Sequence, residues 1–120
     1  MFRIAPVVAL GVAALALAGS ALAAPTKGAA TTVAVTAGKP SELKFTVSKA
    51  TVAKGAVTFT VTNKGTLSHD FKINGKKTAL IAKGKSATLK VTFTKTGKFQ
   101  YLCTVPGHAA AGMKGTITVK

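Results

Sequence analysis

From Thr31 to Lys120 the chain alternates between two kinds of side chain and is broken at short intervals by glycine. Val57, Phe59 and Val61 fall on one parity, Thr58, Thr60 and Thr62 on the other. Leu89, Val91 and Phe93 repeat the pattern against Lys90, Thr92 and Thr94, and Leu43 with Phe45, and Ile117 with Val119, fit the same scheme. A strand turns successive side chains to opposite faces, so this period of two marks strands with one face buried. Turns are signalled at Lys54-Gly55, Lys64-Gly65, Asn74-Gly75, Lys83-Gly84 and Thr96-Gly97. Asn74-Gly75 is the strongest signal, because both residues tolerate the positive φ of a type I′ hairpin. No window after the N-terminal segment has convincing helical periodicity, and no repeat of fixed period is present. Seven to eight short strands at this spacing predict one all-β domain over residues 31–120, a β-sandwich or barrel.

The first residues follow a different rule. Arg3 is followed by an apolar run from Ile4 through Leu22, which ends in the small-residue pattern Ala21-Leu22-Ala23. That order reads as a signal peptide over residues 1–23. Cleavage is placed after Ala23, since a cut one residue later would leave Pro25 beside the scissile bond. An uncleaved anchor is the alternative, because the run is nearly long enough to span a bilayer. No twin arginine is present, which implies export as an unfolded chain. No cysteine stands directly after the signal, which excludes a lipoprotein. Residues 24–30 read as a flexible leader, and the expected location is the periplasm, the cell envelope or the exterior.

Charge narrows the function classes. With Arg3 removed in the signal, sixteen lysines face only Glu42 and Asp70, leaving a net charge near +14. Two acids cannot supply paired carboxylates or a Ser-His-Asp arrangement, so acid–base hydrolysis is excluded. An exported chain with no arginine after the signal and no exposed aromatic run offers little base readout, so nucleic acid is not an expected partner. Lysines on outward strand positions blunt sheet edges against self-pairing. They also attract acidic proteins and anionic envelope polymers or lipids.

The chemistry concentrates in YLCTVPGHAAAGM, residues 101–113. Strand parity puts Phe99, Tyr101 and Cys103 on one inward face, and His69 inward with Phe71 and Ile73, while Asp70 and Lys72 look outward. Two strand ends thus aim a thiol and an imidazole at one point. His108 and Met113 follow on a loop that Gly107 and Gly112 let fold tightly and Pro106 stiffens. Apart from the initiator Met1, the chain holds one Cys, two His and one Met. One thiolate, two imidazoles and a thioether are the ligand set of a blue-copper site. A lone Cys cannot form an intramolecular disulfide, and structural zinc, the next metal option, prefers Cys and His without thioether. Taken singly, each residue reads as ordinary core; together, with no spare copies, they point to a metal.

On these residues the chain resembles the cupredoxins, the blue-copper family of plastocyanin, azurin and rusticyanin. The likeness rests on His69 in SHDF, Cys103 ending the penultimate strand, and C-x4-H-x4-M before the final strand MKGTITV. The Cys-to-His spacing is similar to that of rusticyanin and sulfocyanin. The resemblance implies a Greek-key sandwich and one type 1 copper ion, with His69, Cys103 and His108 in a trigonal plane and Met113 axial. No fifth ligand is carried over to the Gly65–Ser68 stretch. Asp70 stands where many relatives carry an Asn or Ser that ties the ligand loops together. The implied function is a monomeric carrier of single electrons between redox partners, acidic ones such as a cytochrome or oxidase, and not an enzyme. His108, amid Pro106, Gly107, Ala109, Ala110 and Ala111, with Lys114 at the edge, would be the electron's exit. Copper storage or delivery to an envelope cuproenzyme is the alternative.

Overall fold

The computed structural model describes residues 31–120, so the expected signal (1–23) and leader (24–30) lie outside the described residues. Nine strands follow in chain order: β1 (Thr31–Ala37), β2 (Phe45–Val47), β3 (Thr51–Val52), β4 (Gly55–Asn63), β5 (Lys72–Ile73), β6 (Lys76–Lys77), β7 (Ser86–Phe93), β8 (Gly97–Leu102) and β9 (Lys114–Val119). They form two sheets, in the orders β2-β1-β4-β7 and β3-β9-β8-β5-β6. Both are mixed: β1 runs parallel to β4 and β3 to β9, while the other pairs are antiparallel. No helix occurs among the described residues. The all-β sandwich is as expected.

The alternation does what its period requires. Val57, Phe59 and Val61 of β4 and Val91 and Phe93 of β7 are buried, facing Ile73, Tyr101, Ile117 and Val119 from the other sheet. Phe71 rivets the two sheets near the site. Its ring centroid lies 5.5 Å from Phe45, 5.2 Å from Phe59 and 5.4 Å from Tyr101. Offset and edge-on aromatic contacts at this range add about 0.5–1.5 kcal/mol each beyond the area they bury. Two residues from His69, this cluster fixes where that imidazole leaves the core.

Asn74 and Gly75 take φ values of 51° and 77°, and Lys72↔Lys77 and Ile73↔Lys76 pair across them. That is the expected two-residue hairpin. The strand count is nine rather than seven or eight, because β3, β5 and β6 are two-residue pieces. Leu43 is half-buried against the core but precedes β2, since the chain is still turning at Ser41–Lys44.

On the β8–β9 ladder Gly115 lies opposite Tyr101, whose ring and hydroxyl fill the space a Cβ at Gly115 would need. Adding a methyl group to a filled site forces side chains off their rotamers. Gly115→Ala should therefore lower stability by about 1–3 kcal/mol in urea unfolding. A change below about 0.5 kcal/mol, the range of ordinary surface substitutions, would show that the tyrosine moves aside freely.

Candidate metal centre

Three segments converge at one end of the sandwich. His69 lies just before β5 and is clamped to Ile81 by two backbone bonds: His69 N–H donates to the Ile81 carbonyl (3.1 Å) and Ile81 N–H to that of His69 (2.7 Å). Cys103 directly follows β8, and its N–H donates to the Met113 carbonyl at 3.1 Å. That bond continues the β8–β9 ladder by one rung and closes the loop 103–113. Within the loop, Met113 N–H donates to the His108 carbonyl (3.0 Å) and His108 N–H to that of Val105 (3.0 Å). The backbone of each loop residue with a candidate donor side chain is thus tied to another part of the same loop.

The side chains meet as parity predicts. His69 Nδ1 lies 3.2 Å from His108 Nδ1 and 3.9 Å from Cys103 Sγ, which lies 3.5 Å from His108 Nδ1. A point equidistant from these three atoms is about 2.1 Å from each, within the roughly 2.0–2.3 Å over which a first-row metal such as zinc bonds imidazole nitrogen and thiolate sulfur. The donor set therefore fits such an ion in size, and its mixture of thiolate and imidazole suits copper. His69, Cys103 and Met113 are buried, whereas His108 is half-exposed. Burial pushes the Cys103 thiol above its ordinary pKa.

The two acids of the chain both brace this end. Asp70 is buried, contrary to the outward direction that parity assigns it. Its Oδ1 accepts from Thr104 N–H at 2.6 Å and its Oδ2 from the Thr104 hydroxyl, tying the His69 segment to the residue after Cys103. Parity fails there because only His69 bridges to Ile81 and regular pairing begins at Lys72, leaving Asp70 outside any ladder. Asp70 thus holds the ligand segments together from a buried position.

Sequence reasoning missed two supports. Asn63 continues the inward parity of β4 and is fully buried. Its Nδ2 donates to the carbonyls of Leu67 (2.7 Å) and Ile81 (2.8 Å), and its Oδ1 accepts from Gly65 N–H (2.8 Å). An amide in an otherwise apolar row was the available signal. Glu42 accepts four hydrogen bonds: Oε1 from the N–H and hydroxyl of Thr66 (2.8 Å each), Oε2 from Leu67 N–H (3.1 Å) and His69 Nε2–H (2.6 Å). Its only signal was rarity, two acids against seventeen cations.

Comparison with known proteins agrees with this geometry. Residues 66–120 match the family described as copper binding proteins, plastocyanin/azurin family. The copper-resistant cuproprotein CopI of Pseudomonas aeruginosa is 43% identical over 49 residues, 41% of this chain and 27% of CopI. The chain spans less than two thirds of the length of the curated relatives it matches. Among solved structures, auracyanin B superposes with a TM-score of 0.65 at 24% identity, covering 81% of this chain and 93% of its own. Rusticyanin from Thiobacillus ferrooxidans superposes at 0.66 and 24%, covering 78% and 79%. His69, Cys103 and His108 come together as a single site that suits copper, and Met113 is buried at the closing end of the same loop.

Glu42 also yields a pH prediction. Its carboxyl is lowered from 4.5 to about 2, first by the Thr66 N–H bond, then by His69 and Leu67. A depressed acid stabilises the fold above its unfolded pKa, and that contribution is lost as pH falls through the folded value. The stability difference between the metal-free protein and Glu42→Gln should therefore be constant above about pH 5 and shrink between 4.5 and about 2. Unfolding curves across that range check it; a difference that does not change with pH would show the carboxylate unbound in solution.

Proposed function

Because the chain belongs to the cupredoxins, the copper-binding proteins of plastocyanin and azurin type, we propose that it carries single electrons between redox proteins outside the cytoplasm. In this reading His69, Cys103 and His108 would hold one type 1 copper ion, with Met113 as a fourth and weaker donor. The observation that carries it is the triangle of two Nδ1 atoms and one Sγ with sides of 3.2, 3.5 and 3.9 Å. Copper bound there supplies one-electron cycling between Cu(II) and Cu(I).

The chain's own residues do the rest. Each ligand residue is fixed through its backbone: His69 to Ile81, Cys103 to Met113, and Met113 to His108. Donors held this way move little when the charge at their centre changes, which keeps reorganisation small. Buried Cys103 and Met113 keep water from the soft ligands, while half-exposed His108 offers the outlet. Pro106, Gly107, Ala110 and Ala111 are exposed around it and carry no charge. Leu67 and Leu80, the exposed large apolar side chains among the described residues, lie close in sequence to the bridged pair His69 and Ile81. A partner can dock there without desolvating a charge.

Around this neutral end every lysine from Lys39 to Lys120 is exposed. Such a field favours an acidic partner, or an anionic envelope surface, by orienting the approach before contact. The protein is then an exported monomer, a carrier and not an enzyme. Turnover of a substrate at a metal calls for an open coordination position, whereas in this reading four donor residues, three of them buried, would surround the ion. Likeness to a protein named as copper-resistant favours one second reading, copper storage or delivery. Tight Cu(I) binding with quick release to a partner would mark that role; fast reversible reduction marks the first.

Adding equimolar Cu(II) to the metal-free protein should produce an intense thiolate-to-copper charge-transfer colour, and Cys103→Ser should abolish it. A wild-type spectrum with only the weak bands of a nitrogen–oxygen site would overturn the assignment.

Electron transfer to an acidic cytochrome should slow steeply with added salt, because exposed charges are screened beyond roughly 10 Å at about 0.1 M. Transfer to a neutral small-molecule oxidant should hardly change. Stopped-flow rates that stay flat or rise with the protein partner would mean docking is apolar and the lysines serve only solubility.

A further inference from the structure

Glu42 does more than cap a loop. Its Oε2 stands 2.6 Å from His69 Nε2, on the side of the ring away from the donor triangle. A carboxylate only accepts, so in the neutral ring the proton at this contact belongs to Nε2 and the lone pair faces inward on Nδ1. The neighbouring backbone is cut to fit. Gly65 is buried, and a Cβ there would run into the Glu42 carboxylate and come within 3.1 Å of His69 Nε2. Its backbone has no positive φ, so room for the carboxylate, rather than backbone freedom, is what calls for glycine. Asn63 Oδ1 fixes that same glycine through its N–H.

Charge gives the contact a second consequence. The chain carries +15 overall, a field that disfavours the more positive state of any ion it binds. Glu42 is 30% exposed, but its charge stands 2.6 Å from a ring that is fully buried, so solvent screens the pair from the outer side only. We propose that Glu42 is a positioning residue that holds His69 as the Nε2–H tautomer, with Nδ1 open to the metal, and lowers the reduction potential of the site by stabilising its oxidised state. The potential rests on the copper reading; the tautomer does not.

Two measurements test it. In metal-free wild-type protein with neutral imidazoles, nitrogen NMR should find His69 protonated at Nε2 and not at Nδ1, with an Nε2–H protected from exchange. Gly65→Ala, which keeps the carboxylate but displaces it, should lose that protection. A proton on Nδ1, or unchanged protection in Gly65→Ala, overturns the positioning role whether or not copper binds. In copper-loaded protein, voltammetry of Glu42→Gln should give a potential shifted upward from wild type with the visible charge-transfer band retained. Gly65→Ala should shift the same way, and adding it to Glu42→Gln should give less than the sum of the two shifts. Equal potentials in wild type and Glu42→Gln would overturn the electrostatic role and leave Glu42 a loop cap. Loss of colour in the wild type itself would count against the copper reading, and the tautomer would still decide the role of Glu42.

Discussion

The antiparallel register of β8 on β9 is the constraint on which the rest of the site depends. It pairs Gly97 with Val119 and runs without a bulge to Leu102 opposite Lys114. The Cys103 N–H to Met113 carbonyl bond adds the next rung. The segment carrying Cys103, His108 and Met113 is therefore a hairpin loop, and its two ends cannot separate unless the ladder breaks. A slip of one residue would turn every side chain of one strand to the other face. Tyr101 would leave its place over Gly115, and Cys103 would point away from His69. The apolar alternation of both strands guards the site geometry, because the same register that buries Tyr101, Ile117 and Val119 also buries the thiol.

A second constraint comes from charge. A chain with seventeen cationic residues and two acids has almost no anions to spend. Both acids are used at one end, where they bind different halves of the site. Glu42 gathers Thr66, Leu67 and His69, and Asp70 reaches across to Thr104 beside Cys103. Their partners are backbone N–H groups, hydroxyls and one imidazole; among the described residues neither acid is paired with a lysine. The lysines stay outside in water, where edge protection and long-range attraction operate. The surface is left to one sign of charge and the interior bracing to the other.

How much of this was legible in the chain follows from which parts obey a period. Val57-Phe59-Val61, Phe99-Tyr101-Cys103 and the Asn74-Gly75 hairpin were readable because alternation and turn chemistry act within a few residues. The inward direction of His69 was readable with Phe71 and Ile73, even though regular pairing starts only at Lys72. The same parity misdirected Asp70, since a residue between an isolated bridge and the start of a strand need not keep the strict up-and-down of a strand. Glu42 lies in the turn between β1 and β2, and its four partners are 24 to 27 residues away, where no local pattern reaches. Asn63 was legible in principle as an amide in an apolar row. The signal expected over residues 1–23 lies outside the described residues, and its reading rests on sequence order alone.

Gathering two imidazole nitrogens to 3.2 Å beside a buried thiol is costly for the chain on its own. Neutral Nδ1 atoms that both present lone pairs repel, so in the metal-free protein one of them must carry a proton for the contact to be a hydrogen bond. With Nε2 of His69 donating to Glu42, a neutral His69 has only its Nδ1 lone pair to offer, and the donor is then His108 Nδ1–H. The burial pattern agrees with that division. His69 is sealed at the inner side with its tautomer set from behind, while His108 is half-exposed on the loop and free to exchange its proton with water. An incoming cation would displace protons from the outer imidazole and from the thiol, and would find the inner imidazole already open. His108 is thus the part of the donor set that meets solvent, while His69 and Cys103 are held behind it by the sandwich.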